Sequence, residues 1–235
     1  MKDPKITVVL TVYNQKDMLL NCLQWLKKVE GITDVIVVDN GSEDGTAKLL
    51  PSQGYGYIVF DEGVQSYGKV WNAVIDNFDL EESVVFMTPR YFPGRLCLRR
   101  LAEALEKQDV GIVGPISNGF YYPQFISLNN GGELLDLEEQ ENDRENFNMV
   151  GVNSGLFAIK NSVLAENGRF DEELVEAKNV FLDYELRLIQ KKYQMLVCPS
   201  AIACDILCGS KDSSYEELLG TSDRENLKQK WKISI

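Results

Sequence analysis

The chain has 235 residues, with 24 Lys+Arg against 36 Asp+Glu for a formal net charge of −12, and it contains no histidine. The missing imidazole excludes a Ser-His-Asp or Cys-His nucleophile, a His-ligated zinc or haem and histidine acid/base chemistry, leaving proton transfer to carboxylates, Lys, Tyr, Cys or substrate. The acidic balance argues against a broad nucleic-acid surface or an anionic membrane, because no basic stripe is there to meet phosphate.

At the N-terminus, Met1-Lys2-Asp3-Pro4 has no apolar run of signal-peptide length. No stretch approaches the roughly 20 apolar residues that span a bilayer. The expectation is a cytoplasmic protein, peripheral to the membrane at most. Next comes a β-branched run, Ile6-Thr7-Val8-Val9-Leu10-Thr11-Val12, of the kind buried on both faces of a sheet. After Tyr13-Asn14-Gln15-Lys16-Asp17, the residues Met18, Leu19, Cys22, Leu23 and Leu26 share one side of a helix that Gly31 is expected to close. A second buried strand, Val35-Ile36-Val37-Val38, runs into the turn-rich Asp39-Asn40-Gly41-Ser42-Glu43-Asp44-Gly45-Thr46 and a short helix. Further strands are expected at 57–60 and 83–87, with a helix at 69–78 between them. This βαβα order predicts an α/β fold with a parallel sheet and right-handed crossovers.

Ligands of such sheets bind beyond the carboxyl ends of the strands. Polar clusters recur at that position after both leading strands, at Thr11, Val12, Tyr13 and Asn14 and again at Asp39, Asn40 and Ser42. The second cluster also makes a turn by composition alone. Neither GxGxxG nor GxxxxGK[ST] occurs, which argues against a dinucleotide or P-loop site.

At these residues the sequence resembles the family 2 glycosyltransferases of the GT-A fold, through Val9-Leu10-Thr11-Val12-Tyr13-Asn14 and the 37–46 segment. The likeness continues in Tyr67-Gly68-Lys69-Val70-Trp71-Asn72, in Gly151-Val152-Asn153-Ser154-Gly155-Leu156-Phe157-Ala158-Ile159-Lys160, which looks like the family's acceptor-side strand, and in Gly168-Arg169-Phe170-Asp171-Glu172. It also takes in Phe181-Leu182-Asp183-Tyr184-Glu185-Leu186-Arg187, so that it covers about residues 5–205. The resemblance implies a single GT-A domain with a Rossmann-like, mostly parallel sheet. Residues 1–114 would be the nucleotide-sugar half and 115–235 the acceptor half.

The resemblance further implies a nucleotide site at Thr11, Val12, Tyr13, Asn14, Asp39, Asn40, Ser42 and Asn72. The Asp39 carboxylate can accept from a pyrimidine imide or a ribose hydroxyl. The catalytic base corresponds to Asp183, which would take the acceptor hydroxyl's proton in an inverting transfer. Asn153, Ser154, Gly155 and Glu185 fall on the acceptor side. Asp183 and Glu185, two apart on a helix, point to different sides, and helix-start charge is a second account of them.

The implied Asp-x-Asp metal motif is degenerate: Phe86-Met87-Thr88-Pro89-Arg90-Tyr91-Phe92-Pro93 holds no carboxylate, and only Asp205 survives of the ligand set. Mg²⁺ or Mn²⁺ belongs to the family's chemistry, but its expected ligands are missing and no firmly bound ion is expected. Arg90 either neutralises the diphosphate in the metal's stead, or marks a chain that binds without catalysis, or is an exposed loop cation.

Five cysteines without a CxxC pair read as reduced thiols, the Cys204-xxx-Cys208 spacing notwithstanding. Residues 129–146 read as an acidic solvated loop, and Tyr121, Tyr122 and Phe125 before it as either sugar-stacking or core aromatics. The tail offers an amphipathic helix from 215 to about 231, which either packs on the core or joins a homodimer. The partners implied are a UDP- or dTDP-sugar donor and a glycan or glycolipid acceptor, as in cell-surface polysaccharide biosynthesis, with no nucleic acid and no transmembrane segment. The competing class is an inactive nucleotide-sugar or glycan-binding module.

Overall fold

The computed structural model describes residues 3–119, 124, 145–149, 152–207 and 223–232. The elements run β1 (Ile6–Val12), α1 (Lys16–Leu26), β2 (Ile32–Asp39), α2 (Thr46–Leu49), β3 (Gly56–Val59), α3 (Tyr67–Asn77), β4 (Ser83–Met87), β5 (Tyr91–Pro93) and α4 (Cys97–Leu105). They continue as β6 (Val110–Ser117), β7 (Phe147–Asn148), β8 (Leu156–Lys160), α5 (Asn161–Asn167), α6 (Ala177–Gln190), β9 (Gln194–Asp205) and α7 (Asp223–Trp231). Among the described residues nine strands form one sheet in the order β3-β2-β1-β4-β8-β6-β9-β5, with β7 on β9.

The first half follows the expected βαβα logic. Every residue of β1 is buried, and β1 lies between β2 and β4, parallel to both. Leu19, Cys22, Leu23 and Leu26 form the inward stripe of α1. That helix ends at Leu26, short of Gly31, whose φ of +88° serves the turn into β2 instead. Ser66 caps α3, its side chain accepting from the Lys69 amide.

Beyond β4 the sheet becomes mixed. β8 runs antiparallel to both β4 and β6, and β9 is parallel to β6. The carboxyl ends of β1, β2, β3, β4, β6 and β9, with the amino end of β8, therefore share one edge. Residue 114 lies inside β6, so one continuous sheet joins the two halves read from the sequence.

Side-chain alternation divides the core into two layers. Val8, Leu10, Val37, Val85, Met87 and Leu156 pack with residues of α1 and α4 on one face. Val9, Ile36, Val38, Val84, Phe86 and Phe157 pack with residues of α3, α5 and α6 on the other. There Trp71 meets Phe86, Phe157 and Phe170 at ring-centroid separations of 5.0–5.6 Å, within the range of favourable aromatic contact.

Two expected elements shift. The strand expected over 151–160 occupies Leu156–Lys160, and the helix carrying Asp183 begins at Ala177. Asp183 therefore sits mid-helix, where the charge account based on a helix start does not apply. Of the tail helix, Asp223–Trp231 is described, and its Leu227 is buried against the α6 layer. Tyr121, Tyr122, Phe125, the 129–144 loop and Cys208 lie outside the described residues. Cys22, Cys97, Cys198 and Cys204 are free thiols. Among the described residues no helix is long and apolar enough to cross a membrane.

Candidate functional site

The loops after β1 and β2 are knitted into one cradle. Asn14, at φ +49°, donates its amide to Ser42 Oγ and accepts at Oδ1 from the Glu43 amide. Asp44 accepts from the Lys16 amide and from both the amide and hydroxyl of Thr46. Burial pushes the Asp44 carboxyl upward, but these donors outweigh it and hold the group below its ordinary range. Gly41, at φ +83°, has no room for a side chain, since a Cβ would stand 2.7 Å from the Gly63 backbone.

Asp39 ends β2 fully buried, with Oδ1 accepting from the Ser42 hydroxyl and amide. Its Oδ2 is buried with no hydrogen-bond partner. Burial is the main reason its pKa is raised, the Ser42 contacts opposing it. An orphaned buried carboxylate oxygen is costly unless something else satisfies it, which marks it as an acceptor waiting for a donor. Thr11 Oγ1 and Thr88 Oγ1, at the ends of β1 and β4, are likewise buried and unpartnered. Val12 accepts the Asn40 amide through its carbonyl, and the half-buried Tyr13 follows at the same edge.

Two residues expected at the nucleotide, Asn40 and Asn72, also make contacts that hold neighbouring loops. Asn40 is fully buried and pins the 63–65 loop, donating from Nδ2 to the Gln65 carbonyl and accepting the Gln65 amide at Oδ1. Asn72 donates to the Phe170 carbonyl and to Glu172 Oε1, and accepts the Phe170 amide. It clamps the 170–172 turn across the α3 layer.

Along the same edge, Arg90 follows β4 and reaches Asp205 at the end of β9, 115 residues away. Nε donates to Oδ1 at 2.9 Å and Nη2 to Oδ2 at 2.6 Å. Asp205 is 2% exposed, and its Oδ1 also accepts from the Leu207 amide. Asn118 braces its backbone on both sides, accepting from the Asp205 amide and donating to its carbonyl. This arrangement does not fit a divalent cation. Residues 86–93 supply no carboxylate, both oxygens of Asp205 face a guanidinium, and among the described residues no three His, Cys, Asp or Glu side chains cluster to hold a metal.

Asn153, Ser154 and Gly155 reach this edge at the amino end of β8, because Leu156 pairs with Met87. Asn153 Oδ1 accepts from the Gly155 amide, and a Cβ at Gly155 would stand 2.6 Å from the Tyr91 ring. Glu185 points toward this segment and accepts the Val152 amide at 2.7 Å. Its burial pushes the carboxyl up to about 8, the Val152 bond opposing the shift.

Asp183 has a different setting from the one expected of a base facing an open crevice. It is fully buried, with Oδ1 accepting from Trp231 Nε1 at 2.8 Å and lying 2.9 Å from Lys230 Nζ, and Oδ2 accepting from Arg187 Nε at 3.1 Å. Lys230 also binds Asp171 at 2.5 Å, and these two carboxylates hold its ammonium above the usual lysine range despite burial's opposite pull. At the other end of α7, Asp223 accepts from the Val175 and Glu176 amides. So α7 straps α6 at both ends and covers Asp183. The partners the sequence reading missed are Gln65, Asn118, Lys230, Trp231 and Asp223. Only the Asp183 to Arg187 spacing of four carried a local signal.

Among solved structures, the mannosyltransferase PcManGT of Pyrobaculum calidifontis, in complex with GDP-Man and Mn²⁺, has a TM-score of 0.66 at 16% identity, covering 92% of this chain and 59% of that one. GalNAc-T7 with UDP, GalNAc and Mn²⁺ has 0.68 at 12% identity, covering 87% and 44%. TarS of S. aureus, residues 1–349, has 0.62 at 16%, covering 85% and 60%. The likeness is one of fold, and the chain spans 44–60% of these structures' lengths. No curated protein matches it in sequence. The family model described as glycosyl transferase family 2 matches residues 7–168, which contain the cradle, Arg90 and the amino end of β8. With that match over a GT-A sheet whose edge gathers those same residues, the chain belongs to glycosyl transferase family 2.

Proposed function

We propose that the cradle binds the pyrimidine nucleotide of a UDP- or dTDP-sugar. On this reading the chain moves a hexose or deoxyhexose to a glycan or lipid-linked acceptor with inversion and without a divalent ion. The observation that carries it is the buried, unpartnered Oδ2 of Asp39. A uracil or thymine imide, or a ribose hydroxyl, is a donor of the right kind for it. Residues 1–114 would serve the nucleotide sugar and 115–235 the acceptor, with Arg90 toward the diphosphate and Asn153, Ser154, Gly155 and Glu185 toward the acceptor. Such a protein would work in the cytoplasm, at the membrane surface where its acceptor is lipid-linked.

The family motif gives Asp183 the role of base. In the strapped arrangement its oxygens are engaged by Arg187, Lys230 and Trp231, so proton abstraction requires α7 to leave. That engagement favours a second reading, a module that binds nucleotide sugar without transferring it. Nucleotide release from UDP- and dTDP-sugars under EDTA, lost in Asp183→Asn, supports the enzyme; calorimetric binding without turnover supports the module. Uridine affinity that survives Asp39→Asn, or no nucleotide binding at all, refutes both.

A further inference from the structure

We propose that a pocket on the edge of the sheet opposite the cradle binds a small aliphatic amine. The site stands apart from the nucleotide reading and does not depend on it. Its cavity of about 470 Å³ opens where β4 begins, β8 ends and α4 finishes, and it has the ordinary size of a small-molecule site. The cradle lies at the carboxyl ends of β1 and β2, whereas Ser83 is the first residue of β4 and Lys160 the last of β8. Because β1 and β4 run parallel, the full length of β4 separates the two places.

Ser83 supplies the polar floor. It pairs directly with Lys160, and alternation along β4 sends its side chain with Val85 and Met87 toward α4. The residue is 7% exposed, its amide donates to the Lys5 carbonyl, and its hydroxyl has no hydrogen-bond partner among the described residues. A hydroxyl buried to that degree and lining a cavity is a donor and acceptor for whatever enters. Ala102 and Leu105, almost fully buried in the α4 layer, line the same cavity and give a short alkyl stem a dry wall.

The rim sets the sign of the charge. The lining holds three carboxylates, Glu81, Glu82 and Glu106, against one ammonium, Lys160, whose Nζ donates to the Lys107 carbonyl at 3.2 Å. Lys5 stands 3.9 Å from Glu81 with half its side chain exposed, a contact worth little in water. Glu106 makes no ion pair among the described residues. The partial negative charge of the last carbonyls of α4 adds to these carboxylates. An anion would be repelled here and a neutral polyol would gain nothing from the charge, so an ammonium on an apolar stem is the chemistry the walls match.

The test titrates the full chain with cadaverine and with pentanediol, its neutral counterpart, by calorimetry, while backbone amide shifts locate the site. Cadaverine should saturate with shifts centred on residues 80–83, 102–106 and 160–162, and pentanediol should bind roughly tenfold more weakly. Glu106→Gln and Ser83→Ala should each weaken cadaverine by about threefold to fivefold. Ser162→Arg, which sets a tethered guanidinium at the mouth, should abolish binding. Uridine affinity should stay the same in all three. Glu106 and Ser162 are exposed, so replacing them leaves the core untouched. Cadaverine that fails to saturate, shifts centred elsewhere, pentanediol bound as tightly, or an affinity unchanged by Glu106→Gln and Ser162→Arg overturns the proposal.

Discussion

Replacing Glu185 by Gln removes a buried ionisable group while keeping its shape and its acceptor for the Val152 amide. Unfolded, this carboxyl titrates near 4.5, whereas burial in the native protein pushes it up to about 8. Between those values the native state holds a proton that the unfolded state has released. The stability this group contributes is therefore complete below about pH 4.5 and is withdrawn as pH rises through about 8. Each pH unit in that window is worth about 1.4 kcal/mol, giving an upper limit of about 5 kcal/mol and about half of that after local relaxation. Urea denaturation at pH 5, 6.5 and 8 should show the wild type losing about 2–3 kcal/mol more than Glu185→Gln over that range. The variant should be the more stable of the two at pH 8. Parallel stability curves for the two proteins would refute the assignment of a proton to Glu185 at neutrality.

Asp183→Ala should destabilise by about 3 kcal/mol, because it leaves Arg187 and Lys230 without the buried partner they share. Urea unfolding reads this, and a cost below about 1 kcal/mol would mean that the carboxylate does not hold α7 down. Asn72→Ala should lose about 2–3 kcal/mol, since buried groups at Phe170 go unpaired, with uridine affinity unchanged; the opposite pattern in calorimetry and denaturation would return Asn72 to the nucleotide site. Gly155→Ala should lower the melting temperature, at a cost of about 1–3 kcal/mol for moving the buried Tyr91 ring. An unchanged melt would show that the ring can step aside.

The parts of the fold that were legible in the sequence are those fixed by near neighbours. β1, α1, β2, α3 and β4 follow from runs of Val and Ile and from the Leu19, Cys22, Leu23, Leu26 spacing, and the Asp39 turn follows from its own Asn, Gly and Ser. The reversal of β8 and the long β9 left no local trace, because pairing direction is decided by which strand is already beside them. The same holds for the site. Asp39 stands at the strand end where the pattern put it, while the state of Asp183 depends on Lys230 and Trp231, 47 and 48 residues onward. The Phe170 and Glu172 contacts of Asn72 were not legible, because an amide that binds a ligand and an amide that clamps a turn are the same side chain. No periodicity links Arg90 to a carboxylate 115 residues away.

The attachment of α7 bears on timing as much as on structure. Its seam on α6 is built from Asp223, Lys230 and Trp231 contacts around a single buried leucine, Leu227, which is a thin hold beside the all-apolar layers under the sheet. Elements held this way open well before the whole molecule does. Amide hydrogens of Asp223–Trp231 should thus exchange sooner than those of β1 or β4, and faster still in added salt, which weakens the charged part of the seam. Each opening carries the indole away and lets water reach Asp183. Any proton transfer at that carboxylate is then paced by an undocking equilibrium, and its rate would vary with ionic strength even with nucleotide, acceptor and pH held constant.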